Sequence, residues 1–460
     1  MKILHVVHAF FPRHRHGTER VTLELASAQR QAGHEVVIVA GQHGRAGREV
    51  SIWREDYDGF EVHRVTFNPV QPQGFLHHEG LKQSITSLFT ALSPDIVHIQ
   101  HLATLSLDVI HAACDAGLPV FYTLHDYYPS CARIMLMRGD GSLCDSTDLV
   151  EECAACLKQQ PSYLREHKLA SVWHLMSWNL VRSDGWRRLG TAVTAKLRRV
   201  QPLLSLSTPD QLRERNQRLD QAYARVQRFI SPSSDHADRF ARLARIPRER
   251  IIAPLQVVDT SHIRHRTHEP GKPLRLLYLG KLDASKGLHI ILKALHHLPN
   301  GLAKLVAVGP PMATSLVSMA YDLELERLRK GLDVDIQRRA YKFEELDELL
   351  AHFDVLVMPS FWYETYGRTV DEAHAAGLPV IASDAAGPAE RVREGVNGLL
   401  FRNGDDLSLA EKIRWAAEHP ADIRKMSEAC EPPESPAQVA MRFEELYRSV
   451  IEEAEAREEK

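Results

Sequence analysis

The sequence predicts an α/β protein of two Rossmann-like domains facing a cleft, and three observations carry that prediction. Short apolar runs (KILHVV, EVVIVA, EVHRV, DIVHIQ, PVFYTLH) alternate with helix-period segments over the first 125 residues. That alternation is the mark of a parallel sheet covered on both faces. The same rhythm restarts at LRLLYLG and runs through LAKLVAVG, VDIQRR, FDVLVMP, LPVIAS and NGLLF. Between the two series the regularity lapses, so what recurs is a whole domain rather than a short-period repeat.

The boundaries follow from where the rhythm stops and starts. A first domain covers residues 1–262, with ISPSS near Ile230 and IIAPLQVV near Ile251 as its last strands. It carries a cysteine-bearing loop at 131–156 and a basic helical insertion at 157–228. A Pro/His/Gly-containing stretch at 263–273 reads as a linker. The second domain occupies 274–435. After a Pro-marked break at Glu431 to Pro436, a charged helix over 436–460 closes the chain and is free to cross back.

Composition narrows the class. At 460 residues, with 44% hydrophobic and 25% charged residues, the chain has the profile of an ordinary globular protein with a large core. A net charge of -3 gives no reason to expect a nucleic-acid partner. No apolar run reaches the ~20 residues of a membrane span. The opening MKILHVVHAFFP reads as a first strand rather than a signal peptide. Six cysteines are too few for a disulfide framework, and a cytoplasmic setting is expected.

The richest stretch runs from Pro359 to Gly387. An apolar strand, Val355 to Met358, enters a Gly-containing turn, and a helix-like run leaves it at Arg368. The first amides of such a helix, with its macrodipole, favour an anion. Glu364 precedes the helix and Glu372 lies one turn inside it, with seven residues between them. Carboxylates accept hydrogen bonds from hydroxyls. Hydroxyl, diphosphate, hydroxyl is the layout of a nucleotide sugar.

Three further stretches stand at strand ends. GKLDASKG carries Lys281 and Lys286 at a spacing of five. The turn after the first strand ends in His16-Gly17-Thr18-Glu19, among Arg13, His14, Arg15 and Arg20. TLHDYYPSC places His125 and Asp126 where a strand meets the expected cleft.

Taken together and in order, these four stretches resemble the GT-B retaining glycosyltransferases of the large family-4 group, over nearly the whole chain except about residues 157–228. The resemblance implies that Glu364 contacts hydroxyls of the transferred sugar and that Glu372 holds the ribose. Amides from Tyr366, Gly367, Arg368 and Thr369 would cap the distal phosphate. Lys281 and Lys286 would stabilise the departing diphosphate, a kind of electrostatic stabilisation that is often the largest catalytic contribution. Lys281 stands where the family usually has Arg, which replaces a bidentate fork by a point charge. Gly17 would let the backbone approach the phosphates, and His125 would lie near the sugar. Gly387, Glu390 and the segment Arg339 to Lys342 complete the candidates, the last for the nucleobase.

The expected function is thus transfer of a hexose from a nucleoside diphosphate sugar to a glycan or lipid-linked glycan hydroxyl, with retention and without a catalytic metal. Cell-envelope polysaccharide synthesis, on the inner face of the cell membrane, is the expected setting. The alternative is a non-catalytic GT-B module that binds a glycan or a protein. A dinucleotide-dependent oxidoreductase would need a glycine fingerprint and a ribose-binding acid about twenty residues on, and the first turn has only Gly17.

Two regions lie outside this pattern. Cys131, Cys144, Cys153 and Cys156 are spaced C-x12-C-x8-C-x2-C. A structural zinc, unliganded thiols and a redox or iron–sulfur role all fit that spacing. From Pro161 to Ile230 there are 13 Lys/Arg against 5 Asp/Glu, with Trp173, Trp178 and Trp186 among them. Such a segment either packs on the first domain with a solvated basic face or lies on an anionic membrane as a peripheral contact.

Overall fold

The computed structural model describes residues 1–42, 50–67, 76–145, 150–158, 208–311 and 316–458. The chain forms two compact units, and each contains a parallel sheet.

The first unit holds the described residues up to 158, those from 208 to Val257, and the segment from Glu434 onward. Its strands are β1 (Lys2–Val7), β2 (Glu35–Gly41), β3 (Ser51–Tyr57), β4 (Phe60–Thr66), β5 (Ile96–Ile99), β6 (Val120–Thr123), β7 (Arg228–Ile230) and β8 (Ile251–Ile252). They lie in the order β3-β4-β2-β1-β5-β6-β7-β8. All neighbours are parallel except β3 and β4. The inner strands β1 and β2 are mostly apolar because both faces are covered, as KILHVV and EVVIVA foretold.

The edge strand β3 is absent from the sequence prediction. Its SIWREDY alternates polar and half-buried positions, so no apolar run marks it. The overlooked signal is Asp58-Gly59, both at positive φ (51° and 74°), which closes a tight antiparallel hairpin onto β4.

The second unit, Val258–Pro433, carries β9 (Leu274–Leu279), β10 (Ala303–Val308), β11 (Val334–Gln337), β12 (Val355–Met358), β13 (Val380–Ser383) and β14 (Gly398–Phe401). The order is β11-β10-β9-β12-β13-β14, all parallel. The stretch Ile263 to Pro273 is fastened to this unit. Arg266 donates to both carboxylate oxygens of Asp347 at 2.7 Å, and the His268 ring lies between the carbonyls of Phe353 and Ala376.

The closing helix, Pro436–Glu458, packs in the first unit rather than the second. Val439, Phe443, Tyr447 and Val450 share a buried cluster with Ile3, Leu25, Ile96 and Phe121.

The cysteine segment is not all loop. Cys153 and Cys156 ride on the helix Val150–Lys158, whose Ala154 and Leu157 bury against Leu212. The expected membrane contact over 161–230 rests mainly on residues that lie outside the described ones, including Trp173, Trp178 and Trp186. Its described part is the helix Pro209–Arg225, whose Leu219, Ala222 and Tyr223 join the core of the first unit. Among the described residues, no helix is long and apolar enough to cross a membrane.

Candidate active site

In each unit candidate residues sit just beyond the carboxyl ends of strands at or next to the point where the sheet order reverses, the place where open α/β sheets bind ligands. In the second unit those strands are β9 and β12.

After β9, Asp283 caps a short turn by accepting from the Ser285 amide at 2.9 Å, and Lys286 follows. Gly287 makes the next step possible. Its φ is +77°, and a Cβ there would lie 1.9 Å from the Pro359 carbonyl oxygen. That close approach, together with the Phe361 amide donating to the Ser285 carbonyl at 2.8 Å, ties the β9 loop to the loop after β12.

The result is a contact between two predicted residues. The Lys286 ammonium donates to the Glu364 carboxylate, which is only 7% exposed. Trp362 Nε1 donates to the same oxygen, Oε2, at 3.1 Å, and Ser360 Oγ donates to it at 3.2 Å. The Lys286 charge also lies 5.2 Å from the Trp362 ring centroid. Three donors on one oxygen fix the carboxylate, and Oε1 takes none of those bonds.

The turn then reaches the helix Arg368–Ala375 through Gly367, at φ +80° and with no side-chain cap. Arg391 braces this entry. It donates to the carbonyls of Tyr366 and Gly367 at 2.7 and 2.8 Å and stacks 3.7 Å from the Tyr366 ring centroid. It also pairs with buried Asp371 at 2.8 Å. Burial, with Asp371 alongside, pushes the Tyr366 hydroxyl well above its ordinary range. Thr369 Oγ1 contacts the Met358 sulfur at 3.7 Å, and Glu372 is buried with Arg368 at 3.8 Å. The Lys281 side chain is exposed, and its backbone carbonyl accepts from the Tyr278 hydroxyl at 2.8 Å.

In the first unit, Gly17 opens the helix Gly17–Gln31, where the His16 amide donates to Glu19 Oε2 at 3.1 Å. Buried Glu19 lies 3.6 Å from His8, just past β1. The His8 ring lies 4.5 Å from that of His101, past β5. His101 in turn pairs with Asp126, past β6, at 3.0 Å. The helix start at Gly17 and the strand end at His125 and Asp126 thus belong to one rim. Burial, with help from the neighbouring His101, lowers the His8 pKa to about 3, so His8 stays neutral. Burial alone would raise the Asp126 carboxyl, but His101 and the Tyr128 amide hold it below its usual range.

Behind this rim a single hydrogen-bond chain fixes His125. Gln100 Oε1 accepts from His125 Nε2 at 2.9 Å, so the proton is on Nε2. Gln100 Nε2 donates to His5 Nδ1 at 3.2 Å, and His5 Nε2 donates to Gln29 Oε1 at 2.7 Å. Gln29 Nε2 reaches the Tyr447 hydroxyl at 3.3 Å, and that hydroxyl donates to His98 Nδ1 at 2.6 Å. His98 Nε2 closes the chain on Thr123 Oγ1 at 2.7 Å. Every donor meets an acceptor only while both buried imidazoles are neutral.

Burial accordingly lowers the pKa of His5 to about 4 and that of His98 well below the ordinary histidine value. Between pH 6.5 and 4 the unfolded chain binds these protons and the folded one does not, so stability falls as pH falls through that window. Thermal unfolding followed from pH 7.5 to 4.5 should show the midpoint dropping most below pH 6.5. A His5→Gln variant should flatten that slope, and an unchanged slope would remove His5 from the account.

A family model described as Glycosyl transferases group 1 matches residues 259–431, and one described as Glycosyltransferase Family 4 matches residues 15–150. The chain belongs to the GT-B glycosyltransferases of family-4 type. The Lys281–Glu372 motifs lie inside the first match, and Gly17 and His125 lie inside the second.

Among curated relatives, the sulfoquinovosyl transferase SQD2 of Arabidopsis thaliana is 32% identical over 155 residues, which is 33% of this chain and 28% of that one. A D-inositol 3-phosphate glycosyltransferase of Streptomyces avermitilis is 28% identical over 225 residues, 45% and 48% of the two chains. The chain spans less than half the length of these curated relatives. Two solved structures share its fold. HepE of Anabaena in complex with UDP has a TM-score of 0.61 at 16% identity, covering 98% of this chain and 100% of that one. The catalytic domain of starch synthase IV from Arabidopsis thaliana, bound to ADP and acarbose, has 0.60 at 15%, covering 98% and 99%.

Sequence reasoning missed several residues of the two rims. Trp362 and Ser360 flank Glu364 within the quoted motif and could have been read there. His8, His101 and Arg391 carry no local pattern, because strand ends far apart in sequence bring them in.

Proposed function

We propose that the chain is a retaining hexosyltransferase that moves a sugar from a nucleoside diphosphate donor to a hydroxyl of a glycan or lipid-linked glycan. The observation that carries the reading is the Lys286–Glu364 pair, set at the β9/β12 reversal beside the uncapped start of the helix Arg368–Ala375. A cation next to a helix start suits a diphosphate, and the carboxylate suits the hydroxyls of the sugar joined to it.

In this reading Lys286, with Lys281 further out, meets the negative charge that grows on the departing diphosphate. Glu364 orients the sugar, Glu372 the ribose, and the amides from Tyr366 to Thr369 the distal phosphate. The rim of His8, Glu19, His101, His125 and Asp126 belongs to the acceptor side, with His125 held as its Nε2–H tautomer. Retention would follow a front-face course in which the leaving phosphate takes the acceptor's proton. That course needs no carboxylate nucleophile, unlike the retaining glycosidases.

Support for the donor class comes from HepE, solved with UDP and with UDP-glucose, and from starch synthase IV with ADP. The test is a thermal-shift panel of UDP, GDP and ADP followed by nucleotide release from the matching sugars. A binder at a hundred times its dissociation constant should stabilise by about 2.7 kcal/mol. A panel with no stabilisation and no release would leave only a binding module and overturn the proposal.

A further inference from the structure

Cys131, Cys144, Cys153 and Cys156 line one cavity of about 250 Å³ in the first unit. Three local devices bring them there. Cys131 ends a turn in which its amide donates to the Tyr127 carbonyl at 2.7 Å, and its own carbonyl accepts from Ile134 at 2.8 Å. Positive φ at Ile134 and Leu136 marks the tight turns of the backbone just after it.

Cys144 is returned by a small hairpin, with Met137 bridged to Leu143 and its amide donating to the Leu136 carbonyl at 2.8 Å. Cys153 and Cys156 stand three apart on the helix Val150–Lys158, a spacing that puts both on one face. Arg133 fastens the end of that helix to the Cys131 turn, donating to the Cys156 carbonyl at 3.2 and 2.7 Å.

A second observation, independent of the thiols, asks for negative charge at this place. Arg215 lines the same cavity and is 4% exposed. Its hydrogen bonds go to the Asn216 side chain and to the carbonyls of Tyr128 and Pro129, and among the described residues no carboxylate pairs with it. A buried guanidinium without an anion carries a large desolvation cost. Four thiolates around a divalent ion hold a net charge of -2, which this arginine would face.

We propose that these four cysteines bind one structural zinc ion as a tetrathiolate centre. Among the described residues no three His, Cys, Asp or Glu side chains are already arranged to hold one ion, and the four thiols meet as the lining of one cavity. Two donors lie on a helix that packs against Leu212 and two on the turn and hairpin six and nineteen residues beyond His125. The centre therefore clamps the chain that leaves the acceptor-side rim. It takes no part in bond making, and it stands whether or not the chain transfers sugars.

The test is elemental analysis of full-length protein purified with reductant and without added chelator. One zinc per chain is expected, with the Cys153→Ser/Cys156→Ser variant losing it and Cys114→Ser keeping it. If the double variant fails to fold, thiol titration of the wild type decides. Up to two of the six cysteines should react before a strong chelator is added and up to four more afterward, Cys430 staying buried in the second unit. Wild-type protein without metal, or with as many reactive thiols before the chelator as after it, would overturn the proposal. So would the visible absorbance and iron content of an iron–sulfur cluster.

Discussion

Glu364→Gln is expected to lower the rate of sugar transfer by about 10²–10³-fold while leaving nucleotide diphosphate affinity nearly unchanged. The reasoning starts from the geometry of one oxygen. Oε2 of Glu364 accepts from Lys286, Trp362 and Ser360, so the group is held rather than free to wander. Glutamine keeps the shape and removes the charge. A neutral amide still accepts from Trp362 and Ser360, but it no longer balances the Lys286 ammonium or binds sugar hydroxyls as strongly. The nucleotide contacts assigned to the helix start and to Glu372 are untouched. Turnover and a nucleotide binding isotherm should therefore separate. Turnover equal to wild type would remove Glu364 from the sugar site, and an equal loss of nucleotide affinity would move it to the diphosphate.

Lys286→Gln should be as severe for the rate, about 3–4 kcal/mol in the barrier, and should weaken nucleotide diphosphate binding as well. It also has a stability signature. Removing the ammonium leaves the Glu364 carboxylate, buried but for its edge, with only neutral donors. The loss of one charge-assisted bond costs about 1.5–3 kcal/mol. Combining Lys286→Gln with Glu364→Gln should return part of that stability without returning activity, the pattern of directly coupled neighbours. Lys281→Gln supplies the contrast. Its side chain is exposed, so a smaller rate effect and no change in unfolding midpoint are expected. Should the double variant be less stable than the sum of the two single ones, the pair is not the contact that organises this loop.

Much of the fold was legible because buried parallel strands announce themselves. KILHVV, EVVIVA, FDVLVMP and LPVIAS are apolar on both faces, and a helix-period run follows each. What escaped was polar or assembled at a distance. The edge strand Ser51–Tyr57 shows solvent half of its residues, so only its Asp-Gly turn betrays it. The C-x2-C pair was read as loop, although Val150, Ala154 and Leu157 already mark a short buried helical face. In the site, Glu364 and Lys286 were found from their motifs, and the structure adds that they touch. Trp362 and Ser360 lay in plain view beside Glu364. His8, His101 and Arg391 were invisible, since nothing local distinguishes them from solvated residues until sheet order sets them side by side. The Gln100–His5–Gln29–Tyr447 chain is the extreme case, joining four elements from both ends of the sequence.

The helix Pro436–Glu458 returns to the first unit and puts Tyr447 and Phe443 into its interior, while Val258–Pro433 is one unbroken length of chain. A ribosome therefore finishes the later domain before the earlier one. When Pro433 has emerged, the second sheet has all its strands and neighbours, whereas the first still shows bare apolar surface around Ile3, Ile96 and Phe121. Birth order and completion order are reversed, and the amino-terminal half must wait for the residues from Glu434 onward to be read.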